Sequence, residues 1–293
     1  MTLSLLARLI CFRTRGLQLI TIPPQPEFFD GRVRHWRAIS GVLLGEIDYQ
    51  PGADRGLHAH ERACLHLNLH GGYIERIGTR VIECSELAVS FQPAGHEHSY
   101  RCYNVPTRAF TVEFESSWLD RLQSAGISPH SQMFADGRIL ELALKVRTEY
   151  SIADSASQLS VEGLLLEIFA AASRYRPESG ASRSEPPWLA RVDRLLRARF
   201  AEVLRLDDVA SEVHVHPVHL ARTFRAHRGL TIGSFVRQLR VSQACILLGE
   251  PGRSLAQLAA ELGFSDQSQF TRTFRRATGL TPGRYRLALP RTR

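Results

Sequence analysis

This chain writes one phrase twice. VASEVHV (209–215) matches LAAELGF (258–264) at an offset of 49, and LARTFRAHRGLTIGSF (220–235) matches FTRTFRRATGLTPGRY (270–285) at an offset of 50. Repetition at this period means that one supersecondary unit is built twice. Each copy reads as a short helix, a turn, a second helix and a Gly-Leu-Thr step into a third. In the second copy Ser254 and Gln257 have capping-box spacing. Gly263 offers the permissive backbone of a tight turn. Ser265 is placed to cap the next helix, Gly279 to end it, and Thr281 with Pro282 to start the third. In the first copy Asp207 and Asp208 suit an opening helical turn. His214 replaces Gly263 and belongs to a residue type enriched at positive φ. Pro217 fits the first helical position after His216. FVRQLRVSQACILL (235–248) reads as one connecting helix with Phe235, Leu239, Ser242 or Ala244, and Ile246 on its apolar side.

Leu220 and Phe224 in one copy, Phe270 and Phe274 in the other, stand four residues apart and define a core-facing stripe. The opposite sides carry Pro217, Val218, His219, Ala221, Arg222 and Arg225 in the first copy, and Ser265, Gln267, Ser268, Thr271, Arg272 and Arg275 in the second. Arginine and glutamine on an outward helix face can read guanine and adenine edges in a major groove. Two such helices on one frame suit successive grooves of double-stranded DNA. Charge agrees: residues 187–293 hold 18 basic against 8 acidic side chains, whereas residues 1–186 hold 19 against 21. A basic excess confined to one region points to a polyanion partner for that region alone. His214, His216 and His219 have a metal-like spacing, but turn, cap and outward-face roles account for them.

Residues 187–288 resemble the DNA-binding domain of the AraC/XylS family of transcription regulators. The resemblance rests on the turn residues Ala210, Glu212, Val213 and Ala260, Glu261, Leu262, on the two Arg-Thr-Phe cores, and on the closing GFSDQSQFTRTFRRATGLTPGRYR. It implies a transcription regulator, expected to be an activator, with RNA polymerase as a partner and a homodimer as the working form.

The first 135 residues read differently. ACLHLNLHGGYIERIGTRVIEC alternates Leu65, Leu67, Leu69 against His66, Asn68, His70, and FTVEFE alternates Phe110, Val112, Phe114 against Thr111, Glu113, Glu115. Such alternation predicts half-buried antiparallel strands closing into a small barrel or double-sheet jelly roll. Gly52, His58 and His60 with PAGHEH (93–98) resemble the two motifs of cupins. That resemblance implies a cupin-like effector domain with a small-molecule pocket at His58, His60, Tyr73, Phe91 and His98. Residues 138–175 turn helical, and Val161, Leu164, Leu165, Ile168 and Phe169 recur on one face, which can pack on the barrel or pair with a second subunit; the family resemblance favours the pairing. RPESGASRSEPP is a linker by composition. The expected class is α+β: a cupin-like β-barrel with a helical dimerisation segment (1–175), a linker (176–187), and an all-α domain with two helix-turn-helix units (188–293).

His58, His60 and His98, with Glu61 or Glu97, would suit iron, zinc or manganese. The cupin pattern expects a glutamate several residues after the second histidine, where Ala63, Cys64 and Leu65 stand. No metal and no cofactor is therefore expected, and a metal-dependent cupin enzyme fused to a DNA-binding domain is the second reading. The five cysteines form no C-x-x-C pair, so reduced thiols in a cytoplasm are the simplest reading. Thiol sensing by Cys64, Cys84 and Cys102 has no visible thiolate-stabilising context. The opening MTLSLLARLICFRTRGLQLI lacks basic residues ahead of its apolar part, which is the wrong order for a signal peptide. No apolar run is long enough to span a bilayer, and no membrane partner is expected.

Overall fold

An alternating strand has two faces to satisfy, and the alternating strands here have both faces covered. The computed structural model describes residues 31–134, 136–174, 185–250 and 252–289. The opening twenty residues, Cys11 and most of the expected linker lie outside these. Strands β1 (Arg32–Ile39), β2 (Val42–Tyr49), β3 (Asp54–His58), β4 (Ala63–His70), β5 (Tyr73–Ile77), β6 (Arg80–Cys84), β7 (Val89–Gln92), β8 (His98–Cys102), β9 (Thr107–Phe114) and β10 (Gln132–Phe134) make two antiparallel sheets. The larger runs β1-β2-β9-β4-β7-β10 and the smaller β3-β8-β5-β6. This is the double-sheet closure that the alternation predicts.

Which face looks inward is the reverse of a simple reading. Leu65, Leu67, Leu69, Phe110, Val112 and Phe114 form the outer face of the large sheet and pack under α1 (Ser116–Ser124), α2 (Gly137–Ile152) and α3 (Ser157–Arg174). Phe169 of α3 meets Phe91 and Phe114 edge-on, with ring centroids 5.7 and 5.2 Å apart. The polar residues of the same strands turn into the sandwich. Cys64 stands opposite Gln92 and Glu113, and His66 opposite Ser90 and Thr111. Strand β4 is therefore buried on both faces rather than half-buried. Buried polar side chains need partners: His66 Nδ1 lies 3.0 Å from Thr111 Oγ1, and Gln92 Nε2 donates to Glu75 Oε1 at 2.8 Å.

Helix α3 corrects a second expectation. Val161, Leu165, Ile168 and Phe169 are spent on the chain's own core. The large apolar side chains of α3 left facing solvent are Leu159, 76% exposed, and Leu166, 39% exposed.

The C-terminal region is helical: α4 (Pro187–Ala198), α5 (Leu206–Glu212), α6 (Pro217–Arg228), α7 (Ile232–Leu247), α8 (Leu255–Glu261), α9 (Gln267–Thr278) and α10 (Pro282–Ala288). Leu220 and Phe224 join a core continuous with that of the sandwich helices, whereas Phe270, Phe274 and Tyr285 centre a separate one. The connecting helix α7 runs between them, with Cys245 buried and Ile246 only half-buried. Polar contacts fasten the seam between the two regions. Ser242 Oγ donates to the Leu69 carbonyl at 3.1 Å, and Arg197 donates to the Glu86 carbonyl at 2.6 Å and to Ser85 Oγ at 2.8 Å. Beneath them Arg147 of α2 donates to Glu46 of β2 at 2.7 Å, both side chains buried.

Candidate functional site

The helix-turn-helix units are built from local signals. Ser254 and Gln257 form the capping box of α8. The turns that follow α5 and α8 pass through His214 at φ 56° and Gly263 at φ 75°. Helix α6 begins at Pro217 with His216 as its cap, the ring accepting from Val218 N at 3.3 Å. Helix α9 departs from expectation by one residue. Asp266, not Ser265, is the cap and accepts from Gln269 N at 2.6 Å, while the Gln269 side chain accepts from Ser265 N at 2.9 Å. Asp266 places its carboxylate at the positive end of the helix, and Ser265 stands just outside.

Both outward faces are largely open to solvent. Val218, His219, Arg222 and Arg225 of α6 are exposed, as are Gln267, Ser268, Arg272 and Arg275 of α9 and Ser265 before it. Pro217, Ala221 and Thr271 are half-buried at the edges of these faces. The His219 ring stands 5.7 Å from that of Trp188 on α4, so the neighbouring helix restrains it. Arg276 turns the other way and lines a groove with Glu141 and Lys145 of α2. Arg228 is tied to Asp193 and Glu185. One residue of these units that sequence reasoning missed is Arg240. From α7 it donates to the carbonyls of Phe200 at 2.8 Å and Glu202 at 2.9 Å, and to that of Gly263 in the turn of the second unit. One guanidinium thus ties the turn of the second unit to the stretch that leads into α5, which only a fork of several donors can do.

At the mouth of the sandwich the structure brings together His58, His60 and His98. The ring centroids of His58 and His98 are 4.4 Å apart, those of His58 and His60 4.9 Å, and those of His60 and His98 5.0 Å. Burial, and then the neighbouring imidazoles, push the His60 pKa down to about 3, and burial lowers that of His98 as well. His60 is therefore neutral near pH 7, the state in which a ring nitrogen can ligate a metal. Tyr73 lines the cavity beneath them with His66, Glu75, Tyr100 and Cys102. That cavity measures about 30 Å³, room for a water or an ion but not for an organic effector. Phe91 is not brought to the site, because it lies on the opposite face of its strand, in the core under α3. Burial raises the thiols of Cys64 and Cys84 well above their ordinary value and that of Cys102 to about 11, so burial disfavours the thiolate at these three positions. A larger cavity of about 360 Å³ lies on the seam between the sandwich and the helices, lined by Leu140, Arg194, Arg197, Arg228 and Phe235 among others. Among the described residues no helix is long and apolar enough to cross a membrane.

Comparison with known proteins agrees with this architecture. Residues 209–288 match the family model described as a helix-turn-helix domain, and residues 40–169 match one described as an AraC-like ligand binding domain. The chain is 34% identical over 85 residues to the probable transcription factor PqrA of Proteus vulgaris, a match that spans 29% of this chain and 70% of that protein. It is 27% identical over 243 residues to the HTH-type transcriptional activator RhaR of Cronobacter sakazakii, spanning 77% of this chain and 84% of that one. Identity to the Msm operon regulatory protein of Streptococcus mutans is 26% over 135 residues, 45% of this chain and about half (49%) of that protein's length.

Proposed function

Because the chain belongs to the AraC/XylS family of transcription regulators, we propose that it is a cytoplasmic, sequence-specific DNA-binding regulator, acting as an activator alongside RNA polymerase and controlled by a small effector. The observation that carries this reading is the pair of exposed faces on α6 and α9, set on two helix-turn-helix units that one helix joins. Arg222 and Arg272 are the base readers. Arg225 and Arg275 hold phosphates, and Gln267, Ser268 and Thr271 complete readout in the second groove. The first unit, with Pro217, Val218 and Ala221, contributes shape and apolar contacts. Footprinting of the full chain on fragments of its own genome tests the reading. A protected site that survives moderate salt supports it, and binding of equal strength to every fragment removes it.

The effector is taken at the barrel mouth by His58, His60 and His98, with Tyr73 beneath. A second reading places it in the seam cavity, favoured by a volume in the range of small-molecule sites. Competition by mouth variants against seam variants such as Arg194→Ala separates the two. The working form is a homodimer, with Leu159 and Leu166 of α3 as the surface left for a second copy.

A further inference from the structure

Three imidazoles gather above an interior too small for an organic molecule, and this arrangement has its own chemistry. His58 ends β3, His60 follows two residues later and His98 starts β8. One ring nitrogen from each lies within 4.8 Å of the other two. Two of the rings are already oriented. The Gly56 carbonyl lies 2.8 Å from His58 Nδ1, and the His96 carbonyl 3.0 Å from His98 Nδ1. A carbonyl only accepts, so each Nδ1 carries the proton and each Nε2 presents its lone pair. Ligating histidines are characteristically held by such a bond from the other ring nitrogen.

The carboxylate absent from the expected sequence position arrives from another strand. Glu75 on β5 sets Oε1 3.9 Å from His98 Nε2, and Gln92 fixes that oxygen from behind at 2.8 Å. Neighbouring donors around a tetrahedral ion with bonds of about 2.0–2.1 Å stand about 3.4 Å apart. The ring nitrogens, within 4.8 Å of one another, and Glu75 Oε1, 3.9 Å from His98 Nε2, stand near that spacing.

We propose that His58, His60 and His98, with Glu75 completing the set, bind a divalent first-row transition metal ion, and that this ion is the effector of the barrel. Imidazole and carboxylate donors suit zinc, iron(II), manganese and nickel, and the set has no soft donor that would select copper(I). The assignment of the ion as effector rests on the regulator reading, whereas metal uptake does not.

The full chain, stripped with chelator and dialysed, is titrated with Zn²⁺ and separately with Co²⁺, whose visible bands report nitrogen and oxygen ligation. One equivalent is taken up, the melting temperature rises, and His60→Gln or His98→Gln weakens uptake by at least about 100-fold, with Glu75→Gln costing about 10–100-fold. The metal-free variants melt within a few degrees of the parent, and His216→Gln with His219→Gln on α6 leaves uptake unchanged. Substoichiometric uptake, or uptake that survives both His60→Gln and His98→Gln, overturns the site. Footprinting with and without Zn²⁺ then separates the two ideas. Protection indifferent to Zn²⁺ overturns the ion as effector, while no protection in either state removes the regulator reading and leaves the uptake result to decide the site.

Discussion

His214 and Gly263 hold the same turn of the two helix-turn-helix units, both with positive φ, yet only one of them has room for a side chain. A Cβ at Gly263 would overlap the backbone of Ala201, including its carbonyl oxygen, whereas His214 carries its ring outward into solvent. Gly263→Ala is therefore expected to destabilise the chain by more than about 2 kcal/mol, combining left-handed strain with a backbone clash. His214→Gly should change stability by less than about 1 kcal/mol, because relief of strain is offset by a freer unfolded chain. Chemical denaturation of the two variants checks the asymmetry, and equal effects would contradict it.

The buried pair of Arg147 and Glu46 should show its cost only when broken. Arg147→Met leaves a carboxylate without a counterion beneath the seam and should lose about 3–5 kcal/mol. Adding Glu46→Leu to that variant should recover most of the loss. If the double variant is as unstable as the single, the pair does not carry the effect.

Glu113 points into the sandwich interior beside Cys64, and its pKa is raised to about 7 by burial, against the pull of Arg62. A carboxyl raised in the folded state binds protons more tightly there than in the unfolded chain. Its ionisation therefore costs nothing below the unfolded value near 4.5, and the cost is complete above about 7. Glu113→Gln should raise stability by about 2–3 kcal/mol at pH 8 and by less than about 1 kcal/mol at pH 5. Thermal melts at the two pH values test the sign, and a gain that is larger at pH 5 would refute it.

Leu159 and Leu166 lie seven residues apart on the solvent side of α3, with exposed Gly163 between them. Replacing both leucines by glutamate should convert a dimer of the full chain to a monomer in sedimentation velocity, with little change in melting temperature. A parent chain that already sediments as a monomer at micromolar concentration would end the dimer proposal.

Local signals in the sequence were sufficient for the helical units. A capping box, a positive-φ turn and a Gly-Leu-Thr step are each decided within a few residues, so Ser254, His214, Gly279 and Thr281 all fall where their chemistry places them. The cap of α9 moved by one residue because Ser265 and Asp266 are both good caps and only the backbone chooses. The sandwich was legible in its period but not in its polarity. Alternation says that Leu65 and His66 face opposite ways; it does not say that helices will cover the leucines and leave the histidine inside. For the same reason α3 disclosed a continuous apolar face without disclosing that Phe91 and Phe114 would use it. Glu75 was out of reach for a different reason. It stands opposite Tyr100 across the β5–β8 ladder, and proximity to His98 is a relation between strands more than twenty residues apart, which no local spacing encodes. Arg240 was hidden likewise, since its acceptors are backbone carbonyls at Phe200, Glu202 and Gly263.

The central claim is that each repeat reads its own stretch of DNA. It is tested most directly by selecting bound sequences from a random duplex pool with the full chain and with Arg222→Ala and Arg272→Ala. The parent should select a bipartite site with its halves about one helical turn apart. Each variant should relax preference in one half alone, at a cost of about 1–3 kcal/mol on the parent site. A single undivided motif, or variants that weaken every sequence equally, would contradict the account.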